Sequence, residues 1–277
     1  VEKAALSQAV KELSLQANYN LRPDVLEALE KAAMEEKEPL AQDYLHILLE
    51  NANLAKENQT PICQDTGMVS VFLEVGEEVM LPPSLEEVVE ESVVEAYQEG
   101  FLRNSMVEKP LFERNHLERN APVFLHLEKV KGDSLKITVM PKGAGSENAS
   151  FLLMLSPHYG LEGFKEELFS QLKEKIPYAC PPVILGICAG ANFEAAPLYA
   201  KKSLLEEIGR KNLDEKLSKL EKELLREINS WGIGPGALGG KTTVLAVHIV
   251  EYPTHMASLP MAVSISCHAL RSASKVL

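Results

Sequence analysis

Along the first sixty residues apolar side chains recur at intervals of three and four, in "AVKELSLQANYNL", "RPDVLEALEKAAMEEK" and "PLAQDYLHILLENANLAKEN". That period puts them on one helical face, and Pro23 suits a helix start, where its missing N–H is no loss. After "PICQDTG", residues 61–67, the period shortens to that of a strand in "MVSVFLEV". Ser84 and Glu87 have the spacing of a capping box, which predicts a helix running to about Phe101. Two strands follow, "PVFLHLEKV" and "SLKITVMP", and Lys131-Gly132-Asp133 between them reads as a hairpin loop.

The glycine-rich turn "PKGAGSEN" then leads into two stretches read as helical, "ASFLLMLS" and "GFKEELFSQLKEK". A buried strand meets a turn in "CPPVILGICAGAN", and helices are expected in "FEAAPLYAKKSLLEEIG" and "LDEKLSKLEKELLREIN". The chain closes with "GIGPGALGGKT", a strand "TVLAVHIVEY", the turn "PTHMASLP" and a last strand "MAVSISC". Strands and helices mix without regular βαβ alternation, so the expected class is α+β, a helical N-terminal region packed with mixed or antiparallel sheets flanked by helices. With no repeat, linker or composition shift, residues 1–277 read as a single domain, the helical region of about 1–60 integral to it.

Composition narrows the partners. An apolar share of 45% and a charged share of 25% are globular averages. A net charge of −12 argues against nucleic acid, whose affinity comes from Lys and Arg releasing counterions. It leaves an anionic small substrate open, because a few convergent cations reverse the potential inside a cleft. No apolar run reaches the roughly 20 residues that span a bilayer, and "VEKAALSQAV" lacks a signal's basic region and apolar run, so a cytoplasmic location without membrane contact is expected.

"GPGALGGKTT" resembles a phosphate-cradling loop, but counting back five from Gly240 gives Pro235 instead of glycine, and a strand follows where that motif needs a helix. "GAGSEN" could present N–H groups to an anion or simply join a strand to a helix. Asn148 to Ser150 match a glycosylation acceptor, without meaning in a cytoplasmic chain.

Cys63, Cys180, Cys188 and Cys267 are widely spaced in a chain long enough to be stable without disulfides. Each can be a buried apolar thiol, a nucleophile or a metal ligand. Cys63, Cys180 and Cys267 stand at ends of apolar segments beside turn residues, positions able to converge at one edge of a fold. Converging thiolates select zinc or an iron–sulfur cluster, and no C-x-x-C pair suggests a zinc finger.

The neighbouring motifs go further. "PICQDTG", "KITVMPKGAGSEN", "ACPPVILG", "GIGPGALGGKTT", "YPTHMASLP" and "ISCHALR" together resemble the α subunit, or N-terminal half, of the iron–sulfur-dependent class I fumarate hydratases and L-tartrate dehydratases. The resemblance runs nearly the whole chain in the family's order, and the chain stops where a separate α subunit is expected to stop. It implies a [4Fe–4S] cluster held by Cys63, Cys180 and Cys267, with one iron open to the substrate's hydroxyl and carboxylate as a Lewis acid. It also implies that Gln64 and the backbone at Gly143 contact substrate, and that Arg103 grips a substrate carboxylate through paired charge-assisted bonds. Asp65 and His255, by the same resemblance, take part in proton transfer.

The implied reaction is reversible dehydration of a small 2-hydroxydicarboxylate, malate to fumarate or tartrate to oxaloacetate. Further substrate-binding groups reside in the family's second half, so a separate β subunit and an oligomer are expected. His268, Arg271 and Lys241 could add positive potential or be structural. Where the family has a "GIGG"-like run after "CPP", this chain has "GICAGAN", which adds Cys188. A small buried thiol is the expected role; as a fourth ligand it would close the cluster and favour an iron–sulfur redox or sensor protein without hydratase activity.

Overall fold

The N-terminal helices form where their period predicts: α1 (Lys3–Tyr19), α2 (Pro23–Glu35) and α3 (Pro39–Asn58) in the computed structural model, which describes residues 1–277. The latter two each begin on a proline. The fold is α+β, as expected, and is organised as two units, each with its own four-stranded mixed sheet. The first unit comprises Val1–Arg22, Asn51–Ala144 and Arg271–Leu277; the second comprises Pro23–Glu50 and Gly145–Leu270.

In the first unit β1 (Met68–Gly76) lies parallel to β2 (Phe124–Val130) and antiparallel to β3 (Leu135–Lys142), and β3 carries β8 (Ala273–Val276) at its far edge. The expected β2–β3 hairpin does not form, because β1 takes the place between them. β1 is buried at nearly every position whereas β2 is largely exposed, so the apolar strand takes the centre and the polar one an edge. The connecting loop crosses the end of β1, where a Cβ on Gly76 would lie 2.4 Å from Gly132 O; glycine admits the crossing.

Val69, Val71, Leu73 and Val75 alternate along β1 and form a core with Leu6, Val10 and Leu13 of α1 and Val88, Val93 and Tyr97 of α4 (Leu85–Glu99). The start of α4 is where the capping box predicts it, but Ser84 has a left-handed backbone and its side chain makes no cap bond. Glu86 and Glu87 instead place negative charge at the helix's positive end.

The second unit contains β4 (Phe151–Leu155), α6 (Gly160–Lys175), β5 (Val183–Ala191), α7 (Ala195–Ser203), α8 (Glu215–Ser230), β6 (Val244–Thr254) and β7 (Leu259–Ser266). Its strand order is β4-β7-β5-β6. "ASFLLMLS" holds the strand β4 and not a helix; the six-residue helix α5 (Ala144–Ala149) ends on its first residue. A short apolar run does not separate the two states by period, and pairing of Phe151–Leu155 with β7 decides it.

One face of this sheet is covered by Phe164, Leu168 and Leu172 of α6 and Leu224 and Ile228 of α8. α7 lies on the other face through Ala196 and Ala200, against Cys188 and Ala262. It approaches so closely that a Cβ on Gly186 would stand 2.1 Å from Ala200 O. No helix is long and apolar enough to cross a membrane.

Candidate active site

Residues 61–67 lie in the turn between α3 and β1, outside any ladder or helix, so their backbone groups need partners from elsewhere. The Ile62 N–H donates to Asn18 O at 2.9 Å, and Asn51 Nδ2 donates to Ile62 O at 2.8 Å. The Tyr97 hydroxyl donates to Thr66 O at 2.7 Å, and Asn120 Nδ2 donates to Gly67 O at 3.1 Å. Burial pushes the Tyr97 phenol up to about 12, which keeps that donor protonated. Gly67 has φ of +79°, and a Cβ there would fall 2.6 Å from Lys142 O, so only glycine closes the turn onto β3.

Within this turn the Cys63 thiol, half-buried, donates to Oε1 of the exposed Gln64 at 3.3 Å. The Asp65 carboxylate is held by two backbone donors: Gly67 N–H to Oδ1 at 3.0 Å and Ala144 N–H to Oδ2 at 2.7 Å. The first closes an Asx turn, so Asp65 caps its own loop. Each oxygen keeps a further lone pair. Gly143 lies beside this carboxylate, its Cβ position 3.0 Å from Asp65 Oδ2. Arg103 is exposed, and its carbonyl accepts from Thr66 Oγ1 at 2.7 Å, which fixes its main chain to the turn.

Cys180 and Cys267 belong to the second unit. Cys180 follows the 3-10 turn Ile176–Ala179 and takes a left-handed backbone before Pro181. The antiparallel register Ile184↔Ser266 sets the start of β5 beside the end of β7, so both cysteines fall at one end of the sheet. Tyr44 sits with them: burial first, and then the negative charge of Cys180 and Cys267, push its phenol up. His268 Nδ1 donates to Cys180 O at 3.0 Å, and its ring meets Tyr44 edge-on with centroids 6.3 Å apart. Lys241 is occupied structurally, its Nζ 2.6 Å from Glu35 Oε2 and its N–H donating to the buried Glu36 at 2.8 Å.

Cys188 is fully buried in the middle of β5, and burial pushes its thiol up to about 11. It stays neutral, a small apolar side chain under α7. Within either unit no three His, Cys, Asp or Glu side chains are disposed to hold a metal ion. The thiol chemistry nevertheless suits a thiolate-bound cluster: Cys63 and Cys267 are half-buried and Cys180 is exposed, all at turns and with no disulfide.

His255 is placed elsewhere. It is exposed on the turn after β6, where Thr254 pairs with Ala191 at the far end of β5. The eight residues of β7 separate it from Cys267, roughly 25 Å at the rise of a strand. Its Nδ1 accepts from the Ala257 N–H at 3.1 Å, and it borders a cavity of about 390 Å³ beside Tyr199 and Tyr252, whose rings stack 4.0 Å apart. The chain thus gathers Cys63, Gln64, Asp65 and Gly143, gathers Cys180 and Cys267, and sets His255 a sheet's length from the second pair.

Sequence reasoning did not single out Asn18, Asn51, Tyr97 or Asn120, which hold the turn. Asn18 carried a signal: with Ser14 it continues the buried stripe of α1, a polar residue where the period calls for an apolar one.

A family model described as fumarate hydratase (fumerase) matches residues 7–276, and the chain belongs to this family of hydro-lyases. Among its relatives a "Putative L(+)-tartrate dehydratase subunit alpha" of Methanocaldococcus jannaschii is 38% identical over 276 residues, covering 98% of this chain and 96% of the relative. The "L(+)-tartrate dehydratase subunit alpha" proteins of Escherichia coli and Shigella sonnei are each 28% identical over 270 residues, covering 96% of this chain and 88% of theirs.

Proposed function

We propose that this chain is the α subunit of an iron–sulfur hydro-lyase that removes water reversibly from a small 2-hydroxydicarboxylate, either malate or tartrate. The observation that carries the reading is the Asp65 carboxylate, fixed by two N–H groups on the same turn as the Cys63 thiol. Cys63, Cys180 and Cys267 would hold a [4Fe–4S] cluster. When bound, such a cluster supplies a Lewis acid for the charge that develops on the departing oxygen.

The chain's own residues do the rest. Once Cys63 is deprotonated its bond to Gln64 is gone, and the Gln64 amide is free to donate to a substrate carboxylate. Arg103, exposed beside the turn, pairs with a substrate carboxylate through parallel N–H groups. Gly143 leaves room for the Asp65 carboxylate, whose remaining lone pairs accept the proton from the carbon next to the one losing hydroxide. The burial and raised thiol of Cys188 count against its being a fourth ligand, and so against a redox or sensor role.

Within one chain His255 is too far from Cys180 and Cys267 to reach a substrate held beside them, so it serves the site of a second copy. A separate β subunit completes the site in a cytoplasmic oligomer. The test is anaerobic reconstitution with iron and sulfide, with and without a co-expressed β subunit, assayed on malate, fumarate and both tartrate enantiomers. Activity on one of these pairs, appearing only with β, is expected; robust turnover by the lone chain, or none with β present, contradicts the proposal.

A further inference from the structure

Arg271 is 2% exposed, a guanidinium carried into the interior of the first unit. Its Nη2 donates to Asp65 O at 2.9 Å and its Nη1 to Asn18 Oδ1 at 3.3 Å, while its Nε has no partner. A buried polar atom left unsatisfied is unfavourable, so the position of this side chain is set by its two acceptors and not by its own hydrogen-bond needs. Those acceptors matter. Asn18 holds the same turn a second time, through its carbonyl and the Ile62 N–H. Asp65 O belongs to the residue whose carboxylate the Gly67 and Ala144 N–H groups fix.

We infer that Arg271 is a positioning residue, a two-ended clamp between α1 and the main chain of Asp65 that sets where the Asp65 carboxylate stands. The guanidinium's planar fork spans both acceptors at once, which a lysine's single ammonium does not. The space above the Asp65 carboxylate is shared with it: the Cβ position of Gly143 is 3.0 Å from Asp65 Oδ2 and 3.8 Å from Arg271 Nη2. Arg271 acts through Asp65, whose main chain it holds. The inference rests on the proposed role of Asp65 in proton transfer.

The test uses Arg271→Lys and, as a gentler variant, Asn18→Ser, with thermal unfolding to confirm that each folds. Amide hydrogen exchange in the full chain is read first, before any cluster is loaded. Exchange at the Gly67 and Ala144 N–H groups is expected to quicken tenfold or more in Arg271→Lys, and less in Asn18→Ser. In the enzyme assembled with its β subunit, kcat is expected to fall ten- to a hundredfold while KM stays within about threefold. Unchanged exchange in the folded variants overturns the clamp, and quickened exchange with unchanged kcat overturns its role in positioning. If the wild-type assembly has no dehydratase activity, the proposed function fails separately, and the exchange result still decides the clamp.

Discussion

At the scale of single residues, the site depends on atoms that are absent as much as on those present. Gly143 has an ordinary backbone, so its value is the space it leaves beside Asp65 Oδ2. A methyl group there presses on a carboxylate that two N–H groups hold in place. Gly143→Ala is predicted to lower kcat ten- to a hundredfold at a stability cost of only about 1–2 kcal/mol, read from steady-state kinetics beside urea unfolding. Cys188 makes a prediction of the opposite kind, about stability without catalysis. Burial pushes its thiol up from the ordinary value of 9.0 to about 11. The folded form holds the proton more tightly, so this contribution is complete below about pH 9 and is lost as pH rises toward 11. The urea midpoint of the wild type should fall across that window and that of Cys188→Ala should fall less; parallel profiles would refute the assignment. The motif "PICQDTG" announced Cys63 and Asp65, and Asn18 and Arg271 could be noted as a polar residue in an apolar stripe and a spare cation, but their role, like that of Tyr97, lies in what the fold brings against that turn.

Among the elements, periodicity located the helices well, because α1, α2, α6 and α8 each bury one face. The errors fell where pairing with distant strands decides. β4 is a five-residue apolar run whose state is set by β7, and β2 and β3 are adjacent in sequence but separated by β1. β8 is four residues long with three exposed, too little pattern to read, and it forms because β3 offers it an open edge. α7 lies so close over β5 at Gly186 that no side chain fits between them. Gly186→Ala must move α7 or bend β5, and overpacking of this kind costs about 1–3 kcal/mol. A urea midpoint within error of wild type would show that α7 yields freely.

At the scale of the whole molecule, the cysteines and His255 pose a question of assembly. β7 stands between Cys267 and His255, and under the proposed function a site that uses both draws them from different copies. Co-expressing inactive Asp65→Asn with inactive His255→Ala should then restore activity in mixed oligomers, up to about a quarter of the wild-type level if copies pair at random in twos, because one site then regains both residues. No recovery in oligomers verified as mixed would place His255 outside the shared site. The order of motifs along the chain was legible in the sequence and made a cluster the natural reading; the distance from His255 was not, since it follows from strand direction. The proposed function stands on which thiols bind iron. The decisive measurement is iron and acid-labile sulfide per chain, with absorbance near 400 nm, after anaerobic reconstitution of the wild type and of the four single Cys→Ser variants. The account predicts about four irons in the wild type and in Cys188→Ser, and loss of the intact cluster in Cys63→Ser, Cys180→Ser and Cys267→Ser. A full cluster in any of those three, or its loss in Cys188→Ser, would contradict it.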